Sequence, residues 1–239
     1  MTSRVLAILG SFDADHRALT LSEIAERAAL TLPTAHRLVG ELADWGALRR
    51  TSTGRYVIGR RLWDLGLLAL VQTGLRVVAA PFLQDLYGET PATVHLAVRE
   101  GAGVLDLDRI SGHASVPVTS KVGARLPMYP TGVGKVLLAH APDAVRQQVL
   151  GGSLERFTPY TIVQPTRLES QLERVRTEGY ATTAEEMTLG ACSIAVPVTA
   201  NGRVVASLGV VVPDLRSCQR LVAAIRVAAR GIARGLVLD

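Results

Sequence analysis

Residues 20–59, TLSEIAERAALTLPTAHRLVGELADWGALRRTSTGRYVIG, decide the fold of the first part of the chain. Thr20 and Glu23 form a T-x-x-E capping box, and Leu19 and Ile24 stand where a hydrophobic staple would fix the entry of the chain into a helix. That helix runs to about Ala28 or Ala29. A further helix begins near Thr31 to Pro33, because a proline in the first turn gives up only an N–H that has no intrahelical partner. Its apolar residues Ala35, Leu38, Val39, Leu42 and Trp45 recur at helical spacing, and Gly46 can end it. Thr34, Arg37, Glu41 and Asp44 lie on another face, with His36 and Gly40 beside them. Two β-like runs follow, Ala47–Arg50 and Tyr56–Ile58, joined by a turn of small polar residues and Gly54. Upstream, Val5, Leu6, Ile8, Leu9 and Phe12 add a short amphipathic helix, ended by Gly10 and the loop 13–16.

Three helices and a hairpin are the parts of a winged helix-turn-helix. A helix fits the major groove, its N-terminal residues reach base edges, and arginine forks bind guanine edges or phosphates. The charge distribution agrees with this. The chain carries 24 arginines and two lysines, Lys121 and Lys135, for a net charge of +5. Residues 35–61 hold six arginines against Glu41 and Asp44, whereas the first 34 residues hold three against four acids. Thr34, His36 and Arg37 are therefore the candidate base readers, and Arg49, Arg50 and Arg55 of the hairpin the candidate phosphate contacts. The alternative is a three-helix bundle with a solvated basic face.

The 239 residues, 48% hydrophobic, are enough for one or two packed domains and exclude a disordered tail or a disulfide scaffold. Two cysteines, Cys192 and Cys218, without a CxxC pair fit a reducing cytoplasm. No signal peptide is evident, and the most apolar stretch, Leu65 to Val71, is too short to span a bilayer. Arg60 to Leu70 reads as a helix with Leu62, Leu65 and Leu68 on one stripe. Its apolar surface continues through Leu75, Val78, Ala79, Pro81, Leu83 and Leu86, more than a linker needs, so it packs either on a partner helix or on its own domain.

Beyond it the pattern is strand-like. Thr93–Arg99 and Val104–Ile110 alternate around a Gly-containing turn, and Cys192–Val198 and Arg203–Val212 flank Asn201-Gly202, a strong hairpin signal. Thr166 and Glu169 form a second capping box ahead of a helix over 167–178, and an Ala-rich amphipathic helix spans about 214–236. Antiparallel hairpins with helices at one side make the fold class α+β.

Signs of catalysis are weak. Gly132-Val133-Gly134-Lys135 is not a phosphate loop, because Tyr129 and Val136 replace the required glycine and hydroxyl residue. No G-x-S-x-G occurs. Cys192 with His95 or His113 lacks metal-ligand spacing, and the adjacent Glu185 and Glu186 would point to different faces. No enzyme, cofactor or metal is expected.

The segment 21–50, with T-x-H-R-L met by Thr34 to Leu38 and a wing G-R-Y-x-[LI]-G met by Gly54 to Gly59, resembles the N-terminal domain of the IclR family of bacterial transcription regulators. PMYPTGVGKVLLA (127–139), GYATTAEEMTLGACSIAVPV (179–198) and NGRVVASLGVVVP (201–213) resemble that family's effector domain. The resemblance covers nearly the whole chain in order, with Pro33 a departure from the small polar residue many members carry. It implies a winged helix-turn-helix over residues 1–60, an interdomain dimerisation helix over 61–78 and a GAF-like effector-binding domain with an antiparallel sheet over 79–239. It also implies double-stranded operator DNA and a small-molecule effector as partners, a homodimer or homotetramer, no membrane, and a cytoplasmic location.

Within that resemblance, the main chain of Thr131, Gly132 and Val133 forms one wall of the effector pocket, and Thr183 and Ser193 match its polar positions. Two serines of some organic-acid-binding members are replaced by Gly209 and Val211. Losing two hydroxyls disfavours a small, highly oxygenated acid and favours an aromatic or amphipathic acid or amide. Two alternatives carry different expectations. A ligand-binding enzyme or sensor with a protein-contacting N-terminal domain would turn over its ligand, and a non-specific DNA-binding protein would show no preferred site.

Overall fold

The structure is a computed structural model that describes residues 1–13, 15–67, 73–90, 92–112, 116 and 122–236. The chain divides into two compact units, residues 1–73 and 74–239. In the first, α1 (Thr2–Gly10), α2 (Leu21–Arg27) and α3 (Leu32–Asp44) enclose a core of Ile8, Leu19, Ile24, Leu38, Val39, Ala47 and Leu48. A small antiparallel sheet in the order β1-β3-β2 closes it, built from β1 (Ala18–Leu19), β2 (Leu48–Arg50) and β3 (Tyr56–Ile58).

The capping box at α2 forms as its spacing predicts. The Glu23 N–H donates to Thr20 Oγ1 at 3.3 Å, and the Thr20 N–H donates to Glu23 Oε2 at 2.6 Å. Leu19 and Ile24 of the staple are both buried. Two devices end α3. Gly46 takes a positive φ of 85°, and the Ala47 N–H reaches back to the Leu42 carbonyl at 2.8 Å, which turns the chain into β2. The hairpin is the wing. After it, α4 (Arg60–Leu67) begins, and Arg61 stacks its guanidinium over Trp45 at 4.5 Å. The Arg60–Leu70 helix is seen as far as Leu67; residues 68–70 lie outside the described residues.

The second unit is built on a six-stranded, wholly antiparallel sheet. In chain order, α5 (Thr73–Glu89) leads into β4 (Thr93–Glu100), β5 (Gly103–Ile110) and β6 (Arg125–Pro127). Three helices follow, α6 (Gly132–Ala139), α7 (Asp143–Leu150) and α8 (Pro165–Glu178). Then come β7 (Ala181–Ala184), β8 (Cys192–Ala200), β9 (Arg203–Val212) and α9 (Cys218–Gly235). The strand order is β6-β5-β4-β9-β8-β7. Asn201 and Gly202 both take positive φ in the β8–β9 turn, as the hairpin signal requires.

Helices cover both faces of this sheet, not one side as the hairpin pattern implied. Val94, Leu96, Ile194, Val196, Leu208 and Val210 pack with α5 and α9, while Ala97, Val104, Ala181 and Ala195 pack with α6 and α8. The strands are buried on both faces, so a strict apolar–polar alternation is absent in their middle.

Two helix starts also differ from expectation. α8 begins at Pro165 with Gln164 as its N-cap, and Thr166 already lies inside the first turn, so no Thr166–Glu169 capping box forms. Proline at the first position supplies the start instead. α9 begins at Cys218 rather than near Asp214, because the Asp214 carboxylate accepts the Arg216 N–H at 2.8 Å and holds that segment in a turn. Among the described residues, no helix is long and apolar enough to cross a membrane.

Candidate functional site

In the first unit, the N-terminal half of α3 presents His36 and Arg37 to solvent, with Thr34 half-buried beside them. Thr34 Oγ1 lies 2.9 Å from Thr31 Oγ1, and Arg37 pairs with Glu41 one turn along the helix. That exposed pair contributes little to stability, so the guanidinium can exchange it for a stronger acceptor at small cost. Ala35, Leu38 and Val39 of the same helix are wholly buried and fix its orientation.

The wing arginines do not share one environment. Arg49 and Arg50 on β2 are exposed, and Arg50 lies 5.8 Å from the centre of the Tyr56 ring. Arg55 instead turns inward. It donates to the Ala18 carbonyl at 2.8 Å and approaches Glu23 at 3.4 Å, tying the wing to the start of α2.

In the second unit, a cleft of about 640 Å³ lies between the sheet and the start of α6. Each of the five residues singled out for the effector, Thr131, Gly132, Val133, Thr183 and Ser193, lines it. The sheet register explains why. Thr183 pairs with Ser193, and Ser193 with Val211, across β7, β8 and β9; one row along, Ala195, Gly209 and His95 are neighbours across β8, β9 and β4. Both rows face α6. Thr131 caps that helix by accepting the Gly134 N–H at 3.1 Å.

Hydrogen bonds hold this end of the cleft. The Gly132 N–H donates to Ser193 Oγ at 3.0 Å, and Ser193 Oγ lies 2.6 Å from Thr183 Oγ1. Two hydroxyls that share one mutual hydrogen bond leave one hydroxyl hydrogen for another acceptor. With the positive end of α6 beside them, these groups favour an anionic or carbonyl oxygen. The walls are apolar, formed by Val104, Leu126, Val133, Met187 and Ala195.

Two buried pairs were not legible as such in the sequence. His95 and Asp106 line the opposite part of the cleft, with Nδ1 to Oδ2 at 3.0 Å. Lys135, on α6, donates to Glu186 Oε1 at 2.6 Å and to Gln171 Oε1 at 2.5 Å. A polar residue on the inward side of an apolar strand, and a lone lysine within GVGKVLLA, were the available signals. Cys192 does not meet His95: its Sγ lies 3.7 Å from the Pro213 carbonyl, and burial pushes its thiol up from the ordinary cysteine range. His113 lies outside the described residues.

With this geometry in place, the family models agree. The IclR helix-turn-helix domain matches residues 2–52, and the bacterial transcriptional regulator IclR C-terminal domain matches residues 67–236. The chain belongs to the IclR family. The glycerol operon regulatory protein of Streptomyces coelicolor is 32% identical over 98% of this chain and 94% of its own length. The HTH-type transcriptional regulator XynR of Escherichia coli is 31% identical over 86% and 82%. An IclR homolog from Microbacterium hydrocarbonoxydans, solved in complex with 4-hydroxybenzoate, superposes with a TM-score of 0.95 at 36% identity over 98% of each chain. This IclR-family regulator thus pairs a helix-turn-helix DNA-binding domain with an effector-binding C-terminal domain.

Proposed function

We propose that this regulator represses transcription by binding a two-fold operator as a homodimer or homotetramer in the cytoplasm, and that an aromatic or amphipathic acid or amide controls that binding. The observation that carries the effector class is the cleft itself, with hydrogen-bond donors at the α6 end and apolar walls around the rest. A relative of nearly the same backbone holds 4-hydroxybenzoate. The Gly209 and Val211 side of the cleft offers no hydroxyl, which suits an apolar ring better than a heavily oxygenated acid.

On the DNA side, Arg37 with Thr34 and His36 reads the major groove, and Arg49 and Arg50 hold phosphate. Arg55 acts with them from the base of the wing, chiefly by fixing its position through Ala18 and Glu23. A dimer presents two such helices to two half-sites. The effector acts by binding one arrangement of the protein more tightly than another, and it shifts operator affinity only by that difference. Binding rather than turnover is supported by the relatives, which are named as transcriptional regulators.

The test is titration of the protein onto tiled DNA fragments flanking its own gene, at two salt concentrations, with Arg37→Ala alongside. One fragment should bind far more tightly than the rest, the substitution should remove about 1–3 kcal/mol of that preference, and 4-hydroxybenzoate should alter it. Uniform, steeply salt-dependent binding to every fragment would overturn the operator reading.

A further inference from the structure

We propose that the His95–Asp106 pair is the part of the effector site that recognises a hydroxyl group on the ligand, at the end of the cleft away from the α6 donors. This rests on the reading of the cleft as the site of an aromatic acid. His95 and Asp106 are 6% and 2% exposed, yet both border the cleft. Among the described residues, His95 Nε2 and Asp106 Oδ1 have no hydrogen-bond partner, and neither does Thr93 Oγ1 two residues before His95 on the same strand. Buried polar atoms are normally satisfied, so the unsatisfied atoms of His95 and Asp106, on neighbouring strands and bordering the cleft, point to a partner that arrives with the ligand.

The chemistry of these atoms selects that partner. An ionised Asp106 can only accept, so the shared hydrogen lies on His95 Nδ1 and is donated to Oδ2. Oδ1 is then an acceptor in want of a donor. His95 Nε2 is an acceptor if the ring is neutral and a donor if it is protonated. A hydroxyl both gives and takes a hydrogen bond, so it satisfies the pair in either state. A ligand carboxylate would be repelled by Asp106, and a methyl group would leave Oδ1 unsatisfied.

The two polar ends lie a suitable distance apart. Ser193 on β8 and His95 on β4 are separated by two strand spacings across the sheet and two residues along it, roughly 12 Å in all. Val133, Ala195 and Gly209 lie between them or above them along the cleft. That span accommodates a single ring with an acidic group held at α6 and a hydroxyl held by His95 and Asp106.

The test is isothermal titration of the full-length protein with 4-hydroxybenzoate, with 4-methylbenzoate of similar shape, and with benzoate. The hydroxylated acid should bind roughly tenfold or more tightly than the methyl compound. In the double variant His95→Phe/Asp106→Val, which removes both groups without stranding a charge, the preference should vanish or invert. Equal binding of all three acids to the wild-type protein overturns the proposal while leaving the aromatic-acid reading intact. A folded double variant that keeps the preference also overturns it. If the double variant does not fold, the wild-type series decides alone. Failure of every acid to bind removes the aromatic-acid reading and this proposal together.

Discussion

Lys135 and Glu186, 51 residues apart, form an ion pair of 2.6 Å with side chains 1% and 6% exposed. The pair joins α6, whose first residues form one wall of the cleft, to the segment 185–191, which contributes Met187, Thr188 and Ala191 to another. The same segment is held from the other side. Thr158 donates to the Glu185 carbonyl at 2.6 Å, and Thr161 to the Glu186 carbonyl at 2.7 Å. The lysine therefore holds a wall of the cleft rather than a phosphate.

Breaking that pair one partner at a time should be costly. Burial pushes the Lys135 ammonium below the usual lysine range and the Glu186 carboxyl above the usual carboxylate range, and each charge offsets the other's loss of water. Lys135→Met leaves a buried carboxylate with an oxygen already lacking a partner and should destabilise the effector domain by about 3–5 kcal/mol. Lys135→Met/Glu186→Leu should recover most of that loss. Urea unfolding followed by far-UV circular dichroism measures both, and a double variant no better than the single one would refute the argument.

The glycines at the start of α6 should separate stability from binding. A Cβ at Gly134 would overlap the Met128 carbonyl oxygen, which is backbone and cannot turn away. Gly134→Ala should therefore destabilise the effector domain by about 1–3 kcal/mol or more. A Cβ at Gly132 would meet Ser193 Oγ at 2.5 Å, and that side chain can rotate. Gly132→Ala should cost less stability but displace the hydroxyl from the cleft and weaken effector binding. Thermal unfolding with and without 4-hydroxybenzoate tells the two effects apart.

Acid should weaken the N-terminal domain through two carboxylates. Hydrogen bonds from His16, with backbone N–H groups of Asp15 and His16, hold Asp13 down at about 2. Hydrogen bonds from the Thr20 backbone and hydroxyl hold Glu23 below the usual glutamate range. Both folded values are depressed, so their stabilisation is present above the unfolded carboxylate range and is lost as pH falls through the folded values. Trp45 and Trp63 both lie in residues 1–73, so tryptophan fluorescence reports on this unit. The midpoint for unfolding should drop between about pH 4 and pH 2. In Thr20→Ala, which costs the helix cap about 1 kcal/mol, the Glu23 part of that dependence should shrink.

The N-terminal fold was legible because its determinants are local. Thr20 and Glu23 are three residues apart, and Gly46 and Gly54 sit where the chain must take positive φ. Thr131, Thr183 and Ser193, which line the cleft, were singled out through the resemblance, and the contact of Thr183 with Ser193 follows from the sheet register. The His95–Asp106 and Lys135–Glu186 pairs were not legible, because each depends on which strands and helices become neighbours in three dimensions. The same holds for Arg55, which reads as a surface arginine until β1 is placed beside β3. Thr166 shows the opposite failure, a local motif overridden by the stronger start signal of Pro165.

Placing a hydroxyl at Gly209 should harm binding rather than help it. Gly209 lies between Ala195 and His95 in the sheet register and directly under α6. A Cβ at this position would sit 2.9 Å from Val133 Cγ1, 3.0 Å from the Ile194 carbonyl oxygen and 3.1 Å from Ala195 Cβ. Two of those neighbours belong to the sheet and cannot move far, so Val133 and the start of α6 must give way. Gly209→Ser should lower stability by about 1–3 kcal/mol and narrow the cleft where an aromatic ring would lie. Removing two methyl groups in Gly209→Ser/Val133→Ala should restore most of both losses, since it clears the movable obstacle. Calorimetric binding of 4-hydroxybenzoate to the two variants checks this. A single variant that binds as well as the wild-type protein would mean that the approach of α6 to β9 does not set the size of the site.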